Sequence, residues 1–121
     1  MPDEAPYCRL YLVTPARFHL SVFAHLLIEA LEAGDVACLQ IRLKNVDDDH
    51  IRRVVDELRP LAQSRDVAVL LNDRADLVAE TGCDGVHVGQ QDVTCEMARQ
   101  LVGVERIVGV TCHGSRHLAM A

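Results

Sequence analysis

Five short apolar runs alternate with amphipathic segments in units of roughly twenty-odd residues, which predicts an α/β chain of parallel strands joined by helices. A row of polar side chains on the second run selects a (β/α) barrel of the TIM type over an open sheet, as argued below. About five βα units are legible, so the expected barrel is incomplete. The whole chain, 1–121, reads as one domain, a partial (β/α) barrel.

The first run, CRLYLV, spans Cys8 to Val13, and a helical segment follows from about Phe18 to Ala33. There Leu20, Phe23, Leu27, Ala30 and Leu31 recur at helical spacing, and Gly34 ends the segment. The second run, VACLQIR, covers Val36 to Arg42. After it, DDDHIRRVVDELRPLAQS places Ile51, Val54, Val55, Leu58, Leu61 and Ala62 on one face of a helix, with leading aspartates suited to its positive N-terminal end. Pro60 is expected to kink this helix or cost it a hydrogen bond. The remaining strands are VAVLL (Val67 to Leu71), GVHV (Gly85 to Val88) and RIVGV (Arg106 to Val110). Between the last two, Thr94 to Leu101 reads as a short helix with Thr94 as N-cap and Met97 and Leu101 on its buried side.

Composition narrows the functional classes. Half the residues are hydrophobic and a quarter charged, an ordinary globular profile that allows a sizeable core. Twelve basic against eighteen acidic residues leave a net charge of −6 without any basic run, which argues against nucleic acid and anionic membranes as partners. Neither a membrane-length apolar run nor a secretory leader is legible, so a cytoplasmic location is expected. The five cysteines are odd in number and lack a C-x-x-C pair, and they read as reduced and mostly buried.

Chemistry concentrates at the strand ends. Alternation puts Leu39, Ile41 and Leu43 on one face of the second strand and Gln40, Arg42 and Lys44 on the other. In a flavodoxin-like sheet helices cover both faces, and burying that row would be costly. A barrel lumen is wet near its carboxyl mouth and tolerates it, although solvated residues at a strand terminus would look the same. Asn72 and Asp73 follow the third run, and Gln90 and Asp92 the fourth, so carboxylates and amides arrive at the same end as the cations. Hard oxygen donors suit Mg²⁺ that also keeps water and phosphate oxygens, and with the cations they suggest a pyrophosphate. Asp73 and Asp76 also fit as first-turn acids of the next helix. His87 reads as a lumen histidine satisfied by a neighbour. Thr111 reads as a phosphate donor at the start of a further helix. The Cys112/His113 pair is poor geometry for nucleophile and base, since adjacent residues at a strand end point apart.

Four motifs in order, Q-x-R-x-K (Gln40, Arg42, Lys44), N-D (Asn72, Asp73), G-x-H-x-G-Q-x-D (Gly85 to Asp92) and G-V-T-x-H (Gly109 to His113), resemble the thiamine-phosphate synthase family from about Leu10 onward. The resemblance implies a cytoplasmic Mg²⁺-dependent transferase that joins hydroxymethylpyrimidine pyrophosphate to thiazole phosphate and releases pyrophosphate. It implies that Gln40, Arg42, Lys44, Asn72 and Thr111 bind phosphorylated small-molecule substrates, Arg42 and Lys44 being the catalytic cations, and that Asp73 and Asp92 hold the metal. The family barrel has eight units, so this chain is expected to be a truncated form, poorly active unless it associates, with unpaired edges at the first and fifth strands that permit a homo-oligomer. The alternatives are a thiazole tautomerase of the same fold and an inactive half-barrel binding module. Retention of both Asp73 and Asp92 favours the synthase, and His113 is the residue that would serve a tautomerase.

Overall fold

The computed structural model describes residues 9–89 and 94–111. Its elements alternate as expected: β1 (Leu10–Val13), α1 (Leu20–Ala33), β2 (Val36–Ile41), α2 (Asp48–Gln63), β3 (Ala68–Asn72), α3 (Ala75–Thr81), β4 (Gly85–Val88), α4 (Cys95–Val102) and β5 (Ile107–Val110). All strand pairs are parallel and the order is β1-β2-β3-β4-β5. A flavodoxin-like sheet would place its second strand outside the first, so the consecutive order removes that rival. Among the described residues β1 pairs only with β2 and β5 only with β4, which leaves two edges.

One face of the sheet is dry. Leu39, Ile41, Val69, Leu71, Val86 and Val88 are buried there against the helices, with Leu12, Val108 and Val110 partly buried at the margins. Helix α2 contributes Ile51, Val54, Val55, Leu58 and Ala62, the predicted stripe, with Leu61 packed at its border. Its N-cap Asp47 accepts a hydrogen bond from the His50 backbone N–H at 2.8 Å, satisfying one orphan donor of the first turn. The helix runs through Pro60 to Gln63 without a break, so the predicted disruption is absorbed within the last turn.

The opposite face is concave. Tyr11 on β1 meets His87 on β4 at 2.7 Å, although three strand spacings would separate those strands by about 14 Å in a flat sheet. The ribbon is therefore curled into a half-barrel, and its helices lie on the convex side. Leu70 is buried on the concave side against Gly85, where an added Cβ would stand 2.7 Å from the Leu70 side chain and 2.0 Å from the Ile107 carbonyl.

Two expectations need correction. Met97 and Leu101 are 52% and 56% exposed; α4 packs instead through Ala98 and Val102. The two stripes lie about 100° apart on the helix, and small Ala98 allows the closer approach of α4 to α3 and the sheet. The second strand also ends one residue early, at Ile41. The Arg42 backbone N–H leaves the ladder to bond Thr14 Oγ1 at 2.9 Å, so Arg42 and Lys44 stand on the loop beyond β2. Among the described cysteines Cys38 and Cys83 are buried as expected and Cys95 is exposed; Cys8 and Cys112 lie outside the described residues.

Candidate active site

The loops after β1, β2 and β3 each deliver a polar group to one rim. Thr14, itself 3% exposed, pins the start of the β2–α2 loop through the Arg42 N–H. That loop turns back at Asn45, whose φ of 58° is left-handed, a conformation Asn tolerates. Arg42 is exposed, and its guanidinium joins no ion pair among the described residues. Lys44 reaches across to β3, where its Nζ donates to Asp73 Oδ2 at 3.3 Å. Asn72 Nδ2 donates to the same carboxylate oxygen at 3.2 Å.

The position of Asp73 depends on backbone geometry. Its φ is 64° and its N–H donates to the His87 carbonyl at 2.8 Å, so the chain leaves β3 in a tight left-handed step before α3 begins. Asp73 is therefore a rim residue, and the first-turn acid of α3 is Asp76, paired with Arg74. The Lys44–Asp73 pair is itself partly exposed, 39% and 24% for the two side chains. Such a pair contributes about 0–1 kcal/mol to stability, weak enough for an entering anion to draw Lys44 away.

Beneath the rim a polar chain crosses the concave face. Gln40, only 5% exposed, donates from Nε2 to the Tyr11 hydroxyl at 3.2 Å. Tyr11 bonds His87 Nδ1 at 2.7 Å, and His87 Nε2 lies 2.8 Å from Thr111 Oγ1. Burial raises the Tyr11 phenol from 10.0 to about 12, partly offset by the Gln40 hydrogen bond. Burial likewise lowers the His87 pKa against the opposing pull of the Asp73 charge, which favours a neutral ring. Desolvation pushes the nearby Cys38 thiol up to about 11, so it sits in the lumen as a protonated thiol.

Five of the predicted residues, Gln40, Arg42, Lys44, Asn72 and Asp73, thus gather at one end of the half-barrel, and Thr111 joins them through His87. Asp92 and Gln90 lie outside the described residues, as do Cys112, His113 and His117. No group of three or more His, Cys, Asp or Glu suited to a metal occurs among the described residues. Tyr11 is the site residue that sequence reasoning missed. It looked like one more member of an apolar run. A cavity of about 580 Å³ lies at the other end of the sheet around Cys83, Asp84 and Arg106. Its walls hold none of the rim groups, and the open concave face is the better candidate on chemistry.

The sequence profile described as thiamine monophosphate synthase matches residues 10–121. The chain belongs to the thiamine monophosphate synthase family. It is 63% identical over 113 residues to the thiamine-phosphate synthase of Rhodospirillum centenum, covering 93% of this chain and 55% of that protein. It is 43% identical over 128 residues to that of Hyphomonas neptunium, covering 99% of this chain and 58% of that protein. Among solved structures it resembles thiamine phosphate pyrophosphorylase from Pyrococcus furiosus with a TM-score of 0.74 at 28% identity, over 87% of this chain and 50% of that one. The chain thus spans about half the length of these family members. A tautomerase or binding-module reading draws no support from these family members, whose names are those of the synthase.

Proposed function

We propose that this chain carries the pyrophosphate-binding side of a thiamine-phosphate synthase, a transferase that joins hydroxymethylpyrimidine pyrophosphate to thiazole phosphate with release of pyrophosphate. The observation that supports it best is the Lys44–Asp73 pair beside Asn72 and Arg42 at the carboxyl end of adjacent strands. As the carbon–oxygen bond to the leaving group breaks, negative charge grows on the pyrophosphate. Lys44 and Arg42 neutralise it, and stabilising that leaving group lowers the barrier without a protein nucleophile. Gln40 and Asn72 orient the substrate below and beside the cations, and Thr111 donates to a phosphate oxygen.

The donors present fit a hard divalent cation in kind. The Asp73 carboxylate is held in place by Lys44 and Asn72, and Mg²⁺ prefers few protein carboxylates with the remaining positions left to water and phosphate. Asp73 with Asp92 would hold it, and when bound it supplies further positive charge opposite the leaving group. The partners on this reading are phosphorylated small molecules, and the setting is the cytoplasm. Among the described residues no helix is long and apolar enough to cross a membrane.

The test is calorimetric titration of the purified chain with inorganic pyrophosphate in the presence of Mg²⁺. Saturable binding is expected, weakened about tenfold or more by Arg42→Met and by Lys44→Met, the loss of one charge-assisted hydrogen bond each. Absence of binding by the unaltered chain, or affinity indifferent to both substitutions, would overturn the reading.

A further inference from the structure

The two cations of the rim are anchored differently. Lys44 is held at its tip, where Nζ meets Asp73, whereas the exposed Arg42 guanidinium joins no ion pair among the described residues. Where Arg42 can reach is therefore set by its backbone, and that backbone is held from β1. Strands β1 and β2 pair as far as Val13 and Gln40, so the next rung would set Thr14 against Ile41. In a parallel ladder a residue donates to one neighbour and accepts from the residue two positions further on. The first half of this rung is made, the Thr14 N–H donating to the Gln40 carbonyl at 3.0 Å. The second half would send the Arg42 N–H to the Thr14 carbonyl, yet it donates to the Thr14 hydroxyl oxygen at 2.9 Å. The same hydroxyl donates to the Arg42 carbonyl at a longer 3.5 Å, so both main-chain groups of Arg42 meet one side chain. We infer that Thr14 is a positioning residue, whose hydroxyl replaces a rung of the β1–β2 ladder and so sets where Arg42 meets the pyrophosphate.

The surroundings suit that task. Thr14 is buried, so its hydroxyl acts on Arg42 and not on a ligand directly. Pro15 restricts the residue before it to extended backbone, which keeps Thr14 in line with β1. Farther along the same two loops the Lys44 N–H donates to the Ala16 carbonyl at 3.4 Å. Gln40, Arg42 and Lys44 thus each have a main-chain group tied to residues 14–16. A valine at position 14 would fill the same space but leave the Arg42 N–H to water, freeing the chain between the Gln40 and Lys44 attachments.

The inference rests on the pyrophosphate reading above, and two measurements separate their fates. Amide exchange followed by NMR needs no ligand: the Arg42 N–H should be protected in the unaltered chain and in Thr14→Ser, and at least about tenfold less protected in Thr14→Val. In titration with inorganic pyrophosphate and Mg²⁺, Thr14→Ser should stay within about twofold of the unaltered chain and Thr14→Val should lose about tenfold. Added to Arg42→Met, Thr14→Val should cost no more than about twofold further, since the guanidinium it places is gone. Equal Arg42 exchange in the unaltered chain and Thr14→Val, a loss in Thr14→Ser as large as in Thr14→Val, or losses that add in the double variant would overturn the positioning role while leaving the pyrophosphate reading in place. So would a Thr14→Val chain without a cooperative thermal transition, which would make Thr14 a residue of the core alone. Failure of the unaltered chain to bind pyrophosphate would overturn that reading and with it the target given to Arg42.

Discussion

The high pKa of Tyr11 makes a measurable claim about the concave face. The phenol is held protonated to about 12 instead of 10.0, chiefly because its ionised form would be partly desolvated. Below 10.0 the group is neutral in both folded and unfolded chains and adds nothing to the pH dependence. Above that value the unfolded phenol ionises while the folded one keeps its proton, so stability falls as pH rises through the window and levels off near 12. Two units correspond to about 2.7 kcal/mol at most. Tyr11 is 43% exposed, so water screens the phenolate, and about 1 kcal/mol is the appropriate expectation. The chain has two tyrosines and no tryptophan, so phenolate absorbance reads directly, and subtracting the titration of Tyr11→Phe isolates this group. The difference curve should have its midpoint near 12, and urea midpoints should show the alkaline loss in the unaltered chain to be about 1 kcal/mol larger than in Tyr11→Phe. A difference curve centred at the ordinary value, with equal alkaline losses in both proteins, would refute the argument and the Gln40–Tyr11–His87 contacts beneath it.

Two further perturbations address the scaffold. Gly85→Ala places a Cβ 2.0 Å from the Ile107 carbonyl, so β4 and β5 cannot keep their register; destabilisation of about 2 kcal/mol or more and early amide exchange in β5 are expected. The carboxyls of Asp48 and Asp76 are held below their usual 3.8, first by hydrogen bonds from Arg74. Their contribution is present above that value and disappears as pH falls through the depressed ones, so the stability gap between the unaltered chain and Arg74→Ala should close in acid; a gap independent of pH would contradict the pairing.

Much of this architecture was readable in residue order, for a physical reason. Ile51, Val54, Val55, Leu58 and Ala62 repeat over about three turns, long enough for the period to define one face unambiguously. Helix α4 has only eight residues, and there the period does not distinguish the Met97–Leu101 stripe from the Ala98–Val102 stripe beside it. Gln40 was placed on the concave face by simple alternation along β2. Arg42 and Lys44 were brought to the right end although the strand stops short of them, because the loop carries them onward over the same rim. The stop itself depends on Thr14, a residue 28 positions away that takes the Arg42 N–H. Tyr11 escaped notice because its partners, Gln40 and His87, become neighbours only once three strand pairings and their registers are known.

The consecutive strand order also has a kinetic side. Among the described residues each strand hydrogen-bonds to the one synthesised just before it, so these pairings can proceed in the order of synthesis. The Tyr11–His87 bond, by contrast, spans 76 residues. It can close only after β4 has docked, which makes bending of the ribbon a later event than its zippering. The groups that meet on its hollow side are brought together by that last step.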